Sequence, residues 1–168
     1  MMLSVLAGGA LSVAGCNAPP NPQQTLPPAS QNTTIGVTSP VSINAEMVRV
    51  VDHAAHQLWN AEKEGMAPKT DADWENLAEH ATQVAAAGVV IRLEGTGPND
   101  RDWVQQADWQ KWAAAVSSAG MAAFQAVETR NTQALVMANG QLVEACESCH
   151  KKFKPQLPSE GIAHSHGH

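Results

Sequence analysis

The chain has 168 residues, a formal net charge of -6, five Trp, two Phe and no Tyr. One domain is the default for this length, and the acidic balance argues against nucleic acid as a partner. Alanine is abundant after residue 53, and an Ala-rich, Tyr-free body favours helix over sheet.

Charge is distributed unevenly. Glu46 is the first charged residue, and six of the ten prolines precede it. Residues 1–15 are apolar and small, too short to span a bilayer as a mature helix, and they read as the apolar region of a secretory signal. The stretch Leu11–Cys16, LSVAGC, resembles a bacterial lipobox, with the small Ala14 and Gly15 before Cys16. Cleavage before Cys16 and lipidation of its thiol are therefore expected. No Lys or Arg precedes the apolar run, as a signal requires, so the true start is expected upstream. Residues 16–42 are rich in Pro, Gln, Asn, Ser and Thr and read as a lipid-anchored tether, at about 3.1 Å per residue when extended.

Helical periodicity begins at Ile43. A first helix is expected over 43–64, with Ser42 as N-cap and Ile43, Met47, Val51, Ala54 and Leu58 forming one apolar stripe. The stretch EGMAPKT ends it. The second covers 71–93 behind Thr70 or Asp71, with Trp74, Leu77, Ala81, Val84 and Gly88 as its stripe, and EGTGPND closes it. The third spans 102–129 with Trp109, Trp112, Val116, Ala123 and Val127 on one side, its first turns forming a separate short segment. Asn131 caps the fourth, over 132–153, where Leu135, Ala138, Leu142, Cys146 and Cys149 share a side. Four amphipathic helices with short loops imply an all-α, antiparallel up-down-up-down four-helix bundle over 43–155. The Trp residues are read as core and inter-helix packing. A tail over 156–168 carries His164, His166 and His168. Such a tract binds metals weakly, and a tail without consequence is the favoured reading.

The fourth helix ends in CESCHKKFK, Cys146 to Lys154. C-x-x-C-H is the attachment signature of c-type haem. Two thiols add across two vinyl groups on one side of the porphyrin, so they must lie about one helical turn apart. Residues 146, 149 and 150 stand at i, i+3 and i+4 and face the same way, and the histidine reaches the iron. Export agrees with this, since the haem is attached outside the cytoplasm. The competing readings are weaker. A zinc site needs four ligands, which only the distant tail histidines complete. A redox dithiol belongs at a helix N-terminus near a βαβ unit. With Cys16 lipidated, none of the three cysteines is left for a structural disulfide.

With this motif near the C-terminus of a four-helix chain, followed by Phe153 and the basic Lys154, residues 43–155 resemble the class II c-type cytochromes, the cytochrome c-prime group and its low-spin relatives. The resemblance implies one covalent haem c on Cys146 and Cys149, with His150 as proximal ligand, in a periplasm-facing bundle. The C-terminal motif is specific; the other three helices match in architecture only.

The sixth iron position decides the function. In an up-down-up-down bundle the end of the fourth helix lies beside the start of the first. Met47, His53 and His56 are the candidates there. At about 100° per residue His53 falls about 120° and His56 about 180° from Met47, so both are read as solvated. Met47 lies in the stripe; in low-spin relatives a methionine of the first helix is the sixth ligand, and core packing is the alternative. Arg92 and Trp103 are expected at the same end, Arg92 as a propionate partner or a solvated helix-end residue. Lys151, Lys152 and Lys154 complement the helix dipole or form a basic rim for an acidic redox partner. No hydrolase triad, phosphate loop or peroxidase base is visible, so the protein is not expected to be an enzyme. Electron transfer with periplasmic redox proteins is the leading expectation, with a five-coordinate haem binding NO or CO as the alternative. A homodimer remains open. Asn17, where many inner-membrane lipoproteins carry Asp, favours the outer membrane.

Overall fold

The computed structural model describes residues 36–154. The signal, Cys16, the tether up to residue 35 and the tail with His164, His166 and His168 lie outside the described residues. The described residues are helical, without a strand.

The first helical run has three consecutive parts. These are α1 (Ile43–Glu46), a π-helical segment (Met47–Val51) and α2 (Asp52–Asn60). Ser42 caps the start, its Oγ accepting from the Ala45 amide at 3.1 Å. Within the π segment the Asp52 amide donates to the carbonyl of Met47, five residues back. The run ends at Asn60, four residues short of the expected end. Turn hydrogen bonds from Ala61, Glu62 and Lys63 replace the helical ones, and Gly65 takes a φ of 80°.

Helix α3 (Asp71–Val90) opens with a capping box. The Asp73 amide donates to Thr70 Oγ1 at 3.2 Å, and the Thr70 amide donates back to Asp73 Oδ2 at 2.8 Å. The expected third helix is split into α4 (Asp100–Val104) and α5 (Ala107–Glu128). The break sits at Gln106, which is extended, with φ -84° and ψ 131°. Helix α6 (Thr132–Phe153) starts at Asn131, whose Oδ1 accepts from the Ala134 amide at 3.0 Å.

Small residues set the closest packing. Gly88 faces Ser117 and Gly120 faces Ala85, and a Cβ on either glycine would collide with the opposing backbone. The two pairs run in opposite sequence order, so α3 and α5 are antiparallel. Ser117 Oγ also donates to the Ala85 carbonyl at 2.8 Å. The first helical run and α6 are antiparallel too. Asn139 Nδ2 donates to the Leu58 carbonyl at 3.0 Å at one end, and Lys154 Nζ reaches Asn44 Oδ1 at 3.4 Å at the other. Ala54, Leu58, Ala81, Val84, Ala123, Leu135 and Leu142 form the main core.

A second cluster of Ile43, Ile91, Trp109, Ala113 and Phe153 lies apart from the first, with Met47, Trp103, Val104 and Cys149 against it. It is tied down by Asp100, only 2% exposed. Asp100 Oδ2 accepts from the Ile43 amide at 2.9 Å and the Gly97 amide at 2.8 Å. The last residues of the stretch read as tether join this knot. The Ser39 amide donates to the Glu94 carbonyl at 2.8 Å, and Ser39 is buried.

Two measurements check this packing. Gly120→Ala overpacks the α3–α5 contact and is expected to cost roughly 1–3 kcal/mol in urea unfolding. Asp100→Ala strands the buried Ile43 amide and the half-buried Gly97 amide and is expected to cost about 2 kcal/mol or more; a loss under about 0.5 kcal/mol would show that the knot is dispensable.

Candidate functional site

The second cluster borders a cavity of about 360 Å³. Three walls enclose it. The first helical run contributes Ile43, Met47, Val51, Asp52, Ala55 and Trp59; α5 contributes Trp109, Trp112, Ala113 and Val116; α6 contributes Cys146, Cys149, His150 and Phe153. Ile91 and Trp103 complete the lining. Apolar walls with a few polar groups are the ordinary character of a small-molecule or cofactor site. Exposed Asn44 and Val48, with half-buried Lys154, stand at its mouth.

The aromatic side is rigid. Trp103 and Trp109 stack with centroids 5.1 Å apart and an interplanar angle of 17°. Phe153 meets Trp109 edge-on at 5.0 Å, a preferred aromatic geometry. Trp109 Nε1 donates to the Ile91 carbonyl at 2.7 Å, which satisfies its one polar group. Four of the five tryptophans thus line the cavity; only Trp74 packs solely against the main core. Their reading as plain core was too coarse, because periodicity gives the buried face of each helix but not whether that face meets protein or a void.

Cys146, Cys149 and His150 stand side by side on the α6 wall. Burial pushes the Cys146 thiol up to about 12 and the Cys149 thiol up to about 11. Burial, and then the neighbouring Lys154 charge, hold the His150 imidazole below its ordinary value. It is therefore neutral at pH 7 and has a lone pair to give. Its Nδ1 is buried without a hydrogen-bond partner. A buried polar atom without a partner calls for an explanation, and a bound group that rearranges this ring supplies one. Among the described residues no three His, Cys, Asp or Glu side chains converge as ligands for an ion. The three α6 side chains line a wall instead, an arrangement suited to the edge of a large flat group.

The other candidates separate clearly. Met47 is half-buried in the wall facing α6. Neither His53 nor His56 lines the cavity. His53 is exposed and packs edge-on against the buried His80, a contact that sequence periodicity did not suggest. The His56 side chain is only 15% exposed. Its Nδ1 lies 2.7 Å from the Asp52 carbonyl and its ring meets Trp59, so it is not a solvated residue. Arg92 is turned away from the cavity, its Nε donating to Gln110 Oε1 at 2.8 Å. Lys152 pairs with Asp108 at 2.6 Å and Lys151 lies 3.9 Å from Glu147. Lys154 sits over Trp103 at 5.2 Å. No described helix is long and apolar enough to cross a membrane.

The chain matches no protein-family model, no curated protein and no solved structure.

The buried thiols give a direct test. In the folded chain, iodoacetamide at pH 8 should label Cys149 faster than Cys146, because Cys146 is the more deeply buried thiol and its pKa is pushed further up. Both should react far faster in urea. Equal, rapid labelling of the folded chain would contradict the buried wall.

Proposed function

We propose that this is a monohaem c-type cytochrome that transfers electrons in the bacterial cell envelope. The observation that carries the reading is that Cys146, Cys149 and His150 of α6 line one largely apolar cavity together with Met47 of the first helical run. In this reading the helices form an up-down-up-down bundle around the haem end, of the class II cytochrome kind. The antiparallel pairing of α3 with α5, and of the first helical run with α6, supports it.

Each residue then has a definite task. Cys146 and Cys149 would hold the haem through thioethers, each thiol adding across a vinyl group, which needs no oxidant. His150 would hold the iron through an imidazole nitrogen, and Met47, from the first helical run, would offer its thioether sulfur. When bound, the haem supplies a one-electron iron couple, and methionine ligation raises its potential. Trp103, Trp109 and Phe153 exclude water from one side, which also tunes that potential. The open mouth at Asn44 and Val48 leaves an edge within reach of another redox protein. No substrate chemistry is assigned. Lipidation at Cys16 would tether the domain to the membrane on its periplasmic side.

Protein matured with haem-attachment machinery tests this. A Soret band that survives denaturation and acid–acetone extraction is expected, and it should be lost in the Cys146→Ala/Cys149→Ala variant. Absence of any such band in the wild type would end the haem reading. The ferric protein should show a low-spin spectrum with a Met-to-iron charge-transfer band. Met47→Ala should abolish that band, lower the midpoint potential and open the iron to CO. A wild-type spectrum already high-spin and responsive to CO would instead favour a five-coordinate gas-binding protein.

A further inference from the structure

Helix α5 carries no charged residue between Lys111 and Glu128, a stretch of about four turns. Yet one side of it meets water. Ser118, Met121 and Gln125 are exposed there, Met121 by 46%. A helix face in contact with water ordinarily carries charge. Ala114, Ser117, Ser118, Met121, Ala122 and Gln125 line a groove on this side, with Arg92, just after α3, at its edge. Val89 of α3, three residues before Arg92, is another large apolar side chain left in the open, 52% exposed. Exposed apolar surface grouped in this way marks a contact with another molecule.

The groove is complementary to its own copy. Measured from the point midway between Ala119 and Gly120, its α5 residues fall in pairs at equal distances on either side. Ala114 pairs with Gln125, Ser117 with Ala122, and Ser118 with Met121. A two-fold axis through that point lays a second α5 antiparallel on the first and sets each residue against its pair on the other copy. Small side chains then meet large ones, Met121 over Ser118 and Gln125 over Ala114. The charges that bracket the stretch are also equally distant from that point, and they are opposite in sign. Lys111 of one copy comes to Glu128 of the other, twice in the dimer. Both are exposed. Within one chain they are about 26 Å apart along the helix, too far to pair with each other.

We propose that this face joins two copies of the chain into a symmetric dimer through α5. The proposal is independent of the haem reading. At about 100° per residue, the cavity residues Trp109, Ala113 and Val116 lie on the side of α5 opposite the groove. Docking through the groove therefore leaves the cavity and its mouth uncovered in both copies. Small residues let the two α5 backbones approach closely, and Met121 and Val89 leave water.

Sedimentation equilibrium of the full chain carrying Cys16→Ser, which takes no lipid, tests it. A dimer is expected at micromolar protein. Ser118→Arg places like charges beside the axis and should give a monomer with unchanged far-UV circular dichroism. Lys111→Glu and Glu128→Lys should each raise the dimer dissociation constant several-fold. The double variant Lys111→Glu/Glu128→Lys should restore it, because the pair is remade with its signs exchanged. A wild type that stays monomeric across the micromolar range overturns the proposal, whatever other protein it captures. So does a Ser118→Arg protein that remains dimeric, or a double variant no tighter than the singles. If Ser118→Arg does not fold, the charge exchange decides alone. Haem loading does not enter this result, so loss of the Soret band would remove the haem reading and leave the dimer standing.

Discussion

The cavity depends on one buried carboxyl. Asp100 Oδ2 accepts from the amides of both Ile43 and Gly97. Ile43 opens the first helical run and Gly97 belongs to the loop after α3, so a single oxygen fixes the entry of one helix against the exit of another. Little room is left for variation. A Cβ on Gly95 or Gly97 would collide with the Asp100 carboxyl. With Ile43 pinned, Met47 stands one turn further on and faces the α6 wall. Without the knot, the first turn of that run loses its tie to the loop after α3 and keeps the Ser42 cap, the Lys154–Asn44 contact and the packing of Ile43.

Side-chain size sets how closely the helices approach. Between α3 and α5 the contacts are Ala85, Gly88, Ser117 and Gly120, which let backbones come close. On the cavity side the facing residues are Trp103, Trp109, Trp112 and Phe153. The α6 cysteines line the space bordered by these rings.

The π segment decides what the first helical run presents. One residue more than an α-turn is accommodated between Met47 and Asp52, and such insertions often mark functional positions. The run then shows two faces rather than one stripe. Ala54 and Leu58 belong to the main core alone, Met47 and Val51 line the cavity, and Ala55 and Trp59 serve both.

The sequence by itself determined much of this protein. The helix type and most boundaries were legible because capping chemistry is local: Ser42, Thr70 and Asn131 each bond within three residues. The grouping of Cys146, Cys149 and His150 was equally legible, since helical spacing alone puts them on one side. Other features depended on the tertiary structure. Nothing in the periodicity announces a π turn, because its cost is repaid by packing against other helices. The short segment ahead of the third helix was expected from the sequence, but the knot at Asp100, the packing of His80 against His53 and the turning of Arg92 to Gln110 depend on partners further along the chain. Asp100 lies 57 residues from Ile43. Whether an apolar face meets protein or a void is a property of three walls at once, and no single helix carries that information.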